Sequence, residues 1–105
     1  MLEAVTGFEW DKHNADKNWE KHGVSNVEAE QVFFTQPLLL FEDRKHSRSE
    51  ARSYVLGQTD AGRLLMIVFT IRGDKIRVIS AREMSRKEKV IYERQEKETD
   101  SGISE

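Results

Sequence analysis

The sequence predicts an α+β domain, a small twisted antiparallel sheet of three to four strands packed with helices. Residues 64–71 form a run that is apolar almost throughout, which is typical of a strand buried on both faces. Gly73-Asp74 follows as a two-residue turn signal, because glycine tolerates the positive φ that hairpin turns need. Sequential strands with short turns favour an antiparallel meander, and the flanking helical segments are expected to cover one of its faces.

The N-terminal third of the chain predicts one short strand and two helices. Residues 7–10 form the strand, and Asp11 follows as the N-cap of the first helix. Gly23 stands where a residue in the left-handed conformation would end that helix. Ser25 caps the second helix, and Glu28 three residues later completes a capping box.

The rest of the chain predicts strands and turns before a final helix. Strands are expected at residues 38–41 and 52–58, separated by a polar loop, and Ser85 caps a helix that runs to about residue 97. The length of 105 residues indicates one domain, which we place at residues 1–97. Residues 98–105 form a polar tail that we expect to be frayed.

Composition excludes several kinds of chemistry. The chain has no cysteine, which excludes disulfides, thiol catalysis and thiolate zinc sites. Its three histidines, His13, His22 and His46, lack metal-ligand spacing, and there is no glycine-rich phosphate loop. No apolar segment approaches the ~20 residues that cross a membrane. We therefore expect a cytoplasmic protein with no metal, no cofactor and no membrane contact.

Charge is distributed unevenly along the chain. Residues 1–43 carry 3 basic and 9 acidic residues, whereas residues 44–89 carry 12 basic and 5 acidic residues. Residues 90–105 carry 2 basic and 5 acidic residues. The formal net charge of −2 therefore conceals a basic central segment. Such asymmetry points to nucleic acid or another acidic partner. An equally weighted alternative is a solvated basic face that forms salt bridges with the acidic helices.

The predicted hairpin gathers cations near its turn. Its register places these residues opposite each other: Arg72 and Lys75, Thr70 and Arg77, and Val68 and Ile79. Paired residues share a face, so Arg72, Lys75 and Arg77 should lie together, with Asp74 as the one acid expected beside them. The planar fork of arginine suits phosphate, and a polyanion would relieve the repulsion between these cations.

Arg82 has two possible roles. Arg77 and Arg82 differ in parity, which places them on opposite faces of a regular strand. Arg82 therefore either binds phosphate beyond the end of the strand or pairs with an N-terminal acid, Glu9 or Asp11.

Further basic residues also have a functional and a structural interpretation. Arg52 lies on a strand, and Arg63 lies at a hairpin end, where it can bind phosphate or pair with Asp60. Lys21 and His22 lie in the last turn of the first helix, where positive charge interacts favourably with the helix dipole. The alternative role for His22 is a proton donor near neutral pH.

Three blocks of motifs follow one another over about residues 8–93. The first block is Phe8-Glu9-Trp10-Asp11, Asn18 and Lys21-His22-Gly23-Val24. The second is Glu50-Ala51-Arg52 with Gly57. The third is Gly62-Arg63-Leu64-Leu65, Thr70-Ile71-Arg72-Gly73, Ile76-Arg77-Val78-Ile79-Ser80-Ala81-Arg82, Arg86, Glu88 and Tyr92. In order and spacing these blocks resemble the BrnT toxins, the toxin half of a type II toxin–antitoxin pair.

The resemblance implies a RelE-like ribonuclease that cleaves RNA and inhibits translation. It also implies neutralisation by a BrnA-type antitoxin with a DNA-binding domain, so that the toxin meets operator DNA only through its partner. We expect a 2:2 complex, because DNA-binding antitoxins dimerise to match palindromic operators.

The candidate residues then take specific roles in a metal-independent endoribonuclease. RNA supplies its own nucleophile, the 2′-hydroxyl, so charge stabilisation and a proton shuttle suffice. The catalytic candidates are Arg72, Arg77, Arg82 and His22, and the RNA-binding candidates are Lys21, Arg52, Arg63 and Lys75. Two alternatives use the same basic residues: a non-catalytic RNA-binding module, and a corepressor subunit of an antitoxin–DNA complex.

Overall fold

The computed structural model describes residues 2–46 and 50–103, which form five strands and three α-helices. The strands are β1 (Gly7–Glu9), β2 (Leu39–Glu42), β3 (Ser53–Gln58), β4 (Leu64–Arg72) and β5 (Lys75–Glu83). The helices are α1 (Lys12–His22), α2 (Asn26–Val32) and α3 (Arg86–Ile103), and short 3-10 turns occupy Leu2–Ala4 and Arg44–His46.

All five strands belong to one mixed sheet with the order β1-β5-β4-β3-β2. Strands β2 to β5 form the expected antiparallel meander, but β1 pairs with β5 in parallel. The prediction of a purely antiparallel sheet of three to four strands is therefore wrong. The prediction missed the parallel pairing because the paired residues of β1 and β5 lie 68 positions apart. Local sequence patterns carry no signal for a pairing between such distant segments.

The β4–β5 hairpin has the predicted register near its turn and a bulge farther along. Gly73 adopts a φ of 60° in the two-residue turn, and Arg72 faces Lys75. Val68 faces Ser80 instead of the predicted Ile79, because the register shifts by one residue between Val68 and Phe69. An extra residue on one strand reverses the parity of everything beyond it. The bulge therefore changes which face the end of β5 presents.

Helices cover both faces of the sheet, not one as predicted. The odd-numbered residues of β4 face α1 and α2 in the main core, whose fully buried members include Val24, Ala29, Val32, Leu65, Ile67 and Phe69. The even-numbered residues of β4 lie on the opposite face, which we call the α3 face. There Tyr92 of α3 packs in a second cluster with Leu56 and Met84, against the half-buried Leu64 and Met66.

Gly57 permits the close approach of α2 to the sheet. A Cβ at this position would lie 2.7 Å from Cγ1 of Val32 and 3.2 Å from Cδ1 of Leu38. The first distance is shorter than real carbon contacts allow, so any larger residue displaces the helix side chains. The main core therefore depends on glycine at this point of β3.

The predicted helix ends agree with the structure except at the C-terminus. Asp11 caps α1, Gly23 ends it with a φ of 62°, and Ser25 with Glu28 forms the expected capping box. Helix α3 continues to Ile103, past the predicted end near residue 97, so most of the tail expected to be frayed is helical here. Residues 104 and 105 of that tail lie outside the described residues.

Helix α1 covers the part of the β5 edge that β1 does not reach. The backbone N–H of Ala81 donates to Oδ1 of the buried Asn18 at 3.1 Å, and Nζ of Lys17 donates to the carbonyl of Ile79 at 3.2 Å. These hydrogen bonds satisfy backbone N–H and C=O groups of β5 that would otherwise be unpaired at the edge of the sheet. Across the part of the chain that the structure describes, no helix is long and apolar enough to cross a membrane.

Candidate functional site

The candidate site occupies the half of the α3 face nearest the Gly73-Asp74 turn, which we call the turn half. Helix α3 packs over the other half, around Leu56, Leu64 and Met66. Pairing across β4, β5 and β1 places these residues together in the turn half: Thr70, Arg72, Lys75, Arg77 and Glu9. The predicted meeting of Arg72, Lys75 and Arg77 is therefore present.

Arg72 forms a two-pronged ion pair with Glu50. Its Nε and Nη2 donate to the two carboxylate oxygens at 3.0 and 2.8 Å, and both side chains remain nearly half exposed. The bond from Arg72 holds the pKa of Glu50 below its ordinary value of 4.5. The expectation that Asp74 is the one acid beside these cations is wrong, because the segment before β3 brings Glu50 to the end of β4.

Arg77 binds two acids from the N-terminal segment. Its Nη2 donates to Oδ2 of Asp11 at 2.6 Å, and Nη1 lies 3.9 Å from the carboxylate of Glu9, its register partner in β1. Backbone N–H bonds from Asn14 and His13, with the charge of Arg77, hold the pKa of Asp11 below its ordinary value. The N-terminal acids that we considered for Arg82 therefore bind Arg77.

Lys75 completes the turn half in a looser arrangement. Its Nζ donates to the hydroxyl of Thr6 at 2.9 Å and lies 3.6 Å from the carboxylate of Asp74. That carboxylate also accepts the Thr6 hydroxyl at 2.6 Å, a bond that lowers the pKa of Asp74 together with the charge of Lys75.

The turn half is thus an array of alternating charges. Arg72, Arg77 and Lys75 each have a carboxylate within 4 Å, so their mutual repulsion is already offset. A phosphate entering here competes with these carboxylates for the arginine N–H groups. The same arrangement places carboxylate oxygens, which can accept protons, directly beside guanidinium groups, which can bind phosphate.

Arg82 lies on the same face as Arg77, contrary to the prediction from parity. Arg77 faces Thr70 and Arg82 faces Met66, and both partners are even-numbered residues of β4. The bulge restores the common face. Arg82 binds Glu88 of α3 through two hydrogen bonds, at 2.8 and 3.0 Å, and this bond holds the pKa of Glu88 below its ordinary value.

Arg63 joins helix ends to the sheet and does not pair with the predicted Asp60. It donates to the carboxylates of Glu28 and Glu83 at 3.1 and 3.2 Å. It also donates to the carbonyls of His22 and Gly23 at 3.2 and 2.8 Å, beyond the last turn of α1. Arg63 therefore supplies bonds that the end of a helix otherwise lacks.

Lys21 and His22 are not brought to the turn half. Both are exposed in the last turn of α1, and within residues 2–46 and 50–103 their side chains form no hydrogen bond or ion pair. The carbonyl of His22 binds Arg63, which immediately precedes β4, whereas Arg72 ends that strand, roughly 30 Å away at the usual rise per residue. The proposed histidine proton donor and the hairpin arginines cannot share one site in this arrangement.

Arg52 does lie close to the turn half. It precedes Tyr54 by two residues, so it continues the α3 face at the start of β3, and its positive charge contributes to the lowered pKa of Glu50. Its predicted position on a basic face is consistent with this placement.

Sequence reasoning missed the acidic members of the site. Asp11 was predicted as a helix cap and as one of two possible acids for Arg82, but its second oxygen binds Arg77. Glu50 shares the parity of Arg52 and Tyr54, which was the available signal. Within residues 2–46 and 50–103, no group of three or more histidine, cysteine, aspartate or glutamate residues is placed to hold a metal ion.

Comparison with known families decides the identity of the chain. A family sequence model described as "Ribonuclease toxin, BrnT, of type II toxin-antitoxin system" matches residues 10–88. The chain belongs to the BrnT toxin family. The match includes Arg63, Arg72, Arg77 and Arg82 and both strands of the hairpin. A BrnT protein of a type II system has an antitoxin as its partner.

A solved structure supports the fold of this BrnT chain. The crystal structure of the Brucella abortus ribonuclease toxin BrnT, at 1.1 Å resolution, is similar with a TM-score of 0.60 and 20% sequence identity. The match covers 78% of this chain and 100% of that chain. No curated protein sequence matches the chain.

Proposed function

We propose that this BrnT chain is a metal-independent endoribonuclease whose active site is the turn half. The observation that carries the proposal is the placement of Arg72 and Arg77 on neighbouring strands of one face, each hydrogen-bonded to a carboxylate. Two arginines at this spacing can hold the non-bridging oxygens of one phosphodiester. The carboxylates supply the proton acceptor that cleavage needs.

In the proposed reaction RNA supplies the nucleophile. Glu50 takes the proton of the 2′-hydroxyl, the 2′-oxygen attacks phosphorus, and the bond to the 5′-oxygen breaks. The leaving oxygen then takes a proton from water, and the resulting hydroxide takes the proton held by Glu50, which restores the carboxylate. The products are a 2′,3′-cyclic phosphate and a 5′-hydroxyl end. Arg72 and Arg77 stabilise the negative charge that builds up on the phosphate oxygens.

Phosphate binding would itself activate Glu50. In the free protein the hydrogen bond from Arg72 keeps the pKa of Glu50 low, which makes the carboxylate a weak base. A phosphate that takes over the N–H groups of Arg72 removes this effect, so the pKa of Glu50 rises and its basicity increases. Glu50 is thus the proposed proton acceptor, the proton donor is water in place of His22, and Lys75 and Arg52 remain proposed RNA contacts.

A second candidate is a non-catalytic RNA-binding or corepressor subunit. The specific observation in its favour is that Arg63, Arg72, Arg77 and Arg82 are all engaged by carboxylates of the chain itself. Under this proposal the arginines serve mainly to join elements of the fold.

The proposed biological role follows the family resemblance. The toxin would inhibit translation in the cytoplasm, be neutralised by a BrnA-type antitoxin in a 2:2 complex, and meet operator DNA only through that partner. Its RelE-like domain would comprise residues 1–97. Coverage of the turn half by the antitoxin is the simplest means of neutralisation, because RNA then cannot reach Arg72 or Arg77.

The deciding experiment is cleavage of a labelled synthetic RNA by the purified protein, with and without a chelator. We expect cleavage at the same rate in both, with cyclic phosphate ends. Loss of cleavage in chelator would refute metal independence. Absence of cleavage, with RNA binding retained, would favour the non-catalytic candidate.

A further inference from the structure

We propose that Phe41 and Tyr54 form a base-binding subsite beside the turn half, on which an unstacked base of single-stranded RNA stacks. The inference rests on the proposed function and extends it, since it assigns recognition of the base to residues that do not take part in the cleavage step.

The two rings form a stacked pair at the edge of the sheet. Their centroids are 5.0 Å apart with an angle of 19° between the planes, and the residues are register partners in β2 and β3. Among residues 2–46 and 50–103, β2 is the last strand of the sheet, so no further strand of this part of the chain lies beside the side of Phe41 that faces away from Tyr54. A base stacked there would continue an aromatic column that already exists.

The pair lies on the same face of the sheet as the proposed phosphate-binding residues. Tyr54 faces Val68, and Thr70 with its partner Arg77 is the next pair along this face, about 7 Å farther along the strands. Across the sheet, Phe41 of β2 and Arg77 of β5 are three strand spacings apart, about 14 Å. A base on Phe41 and a phosphate at the arginines therefore belong to nucleotides a few positions apart on one RNA strand, with Arg52 at the start of β3 between them.

A recess at this edge has the size and charge that such a ligand needs. It has a volume of about 530 Å³ and is lined by Leu40, Phe41, Glu42, Arg44, Ala51, Arg52 and Ser53. Ligand sites commonly have volumes of about 300–1,000 Å³. Arg44 bonds to Glu42 at 3.0 Å with its side chain 90% exposed, so it can turn towards a phosphate at little cost.

The combination of features favours single-stranded RNA as the occupant. Proteins bind single strands through aromatic rings that stack on bases, flanked by cations that follow the phosphate chain. An apolar peptide would use the rings but would gain nothing from Arg44 and Arg52.

The test measures binding of an uncleavable short 2′-O-methyl RNA and of the same backbone with its bases removed. Phe41→Leu and Tyr54→Leu keep the apolar contacts of these residues but remove the rings. We expect each to weaken binding of the base-containing strand by about 5- to 150-fold. Binding of the abasic strand should stay unchanged, because its phosphate contacts remain.

Two control variants make the result interpretable. Phe34→Leu removes a ring that is 78% exposed and that packs near Phe8, away from this edge. It should leave both affinities unchanged. Phe41→Trp keeps an aromatic surface and should retain base-dependent binding, which separates stacking from a folding defect.

The outcomes separate this inference from the proposed function. If the wild-type protein binds both strands equally, or if the leucine variants weaken both equally, the subsite is refuted even where RNA is cleaved. Base-dependent binding that disappears in the leucine variants supports the subsite even if no cleavage is found.

Discussion

Asp11 binds the guanidinium of Arg77 with one carboxylate oxygen and caps helix α1 with the other. The same double use occurs at the other helices that the structure describes. Glu28 accepts the backbone N–H of the N-cap Ser25 before α2 and binds Arg63, and Glu88 accepts the backbone N–H of Ser85 before α3 and binds Arg82. Each helix N-terminus is therefore fixed to the sheet by an acid held between backbone N–H groups and an arginine.

Loss of the arginines proposed to bind phosphate should lower activity. We expect Arg72→Ala and Arg77→Ala each to lower the RNA cleavage rate by about 10²-fold or more, as for loss of a preorganised charge-stabilising donor. Single-turnover cleavage of a labelled RNA measures this. Arg94→Ala, an exposed arginine on α3, serves as the control and should cleave at the wild-type rate. Full activity in the double variant Arg72→Ala/Arg77→Ala would place the active site elsewhere.

Glu50→Gln tests the proposed base. The amide keeps the shape of the side chain but cannot accept a proton, so the cleavage rate should fall by about 10²- to 10⁴-fold. Affinity for an uncleavable RNA should stay the same or increase, since Arg72 loses a competing anion. Glu93→Gln, which alters an exposed acid on α3, is the matched control. A Glu50→Gln protein as fast as wild type would exclude Glu50 as the proton acceptor.

Glu88→Gln should destabilise the attachment of α3. The variant weakens the bond to the Ser85 N–H and leaves the half-buried Arg82 without its ion pair. We expect a loss of about 2 kcal/mol in the free energy of unfolding. Urea denaturation measures the loss, with the exposed Glu93→Gln on the same helix as control. Equal midpoints for Glu88→Gln and the control would contradict this role.

The effect of Glu88→Gln should depend on pH. The folded-state pKa of Glu88 lies below the ordinary value of 4.5, so the unfolded chain binds its proton first as the pH falls. The carboxylate therefore contributes stability above about pH 4.5 and loses it as the pH drops through the lower folded-state pKa. Denaturation at neutral pH and at successive acidic pH values should show the difference between wild type and variant shrinking. A difference that stays constant would argue against the ionised pair as its source.

Gly57→Ala should destabilise the main core. The added methyl would lie 2.7 Å from Val32, and relief requires movement of α2 or of its side chains. Overpacking of this kind costs about 1–3 kcal/mol, which thermal or urea denaturation can detect. Gly7→Ala is the matched control, because the nearest atom to its new Cβ is in the flexible Lys75 side chain at 3.6 Å. A core that tolerates alanine at position 57 as well as at position 7 would show that α2 is not held closely against β3.

The features that the sequence predicted correctly are local in the chain. The Gly73 turn, the Ser25–Glu28 capping box and the central strand each depend on residues a few positions apart, whose steric and hydrogen-bonding preferences act wherever they occur. They also fixed the meeting of Arg72 with Lys75, because a two-residue turn determines the register next to it.

The features that escaped prediction depend on distant contacts or on a single irregular residue. Glu50 lies 22 positions from Arg72, and Asp11 lies 66 positions from Arg77. The sequence therefore predicted only Asp74, the acid in the adjacent turn, beside these two arginines. The bulge in β5 has no glycine or proline to mark it, and it reverses the parity on which the orientation of Arg82 depended. Charge counts indicated a basic face but could not show that carboxylates already occupied it.

The parallel pairing of β1 with β5 has a consequence for folding during synthesis of the protein. Strand β1 leaves the ribosome before β5, whose paired residues lie 68 positions later in the chain. Contacts between such distant segments form late, because a long loop must close before they gain anything. A nascent chain halted before β5 has an unpaired first strand and lacks Arg77, so interrupted synthesis leaves an unfinished sheet and no shorter version of the toxin.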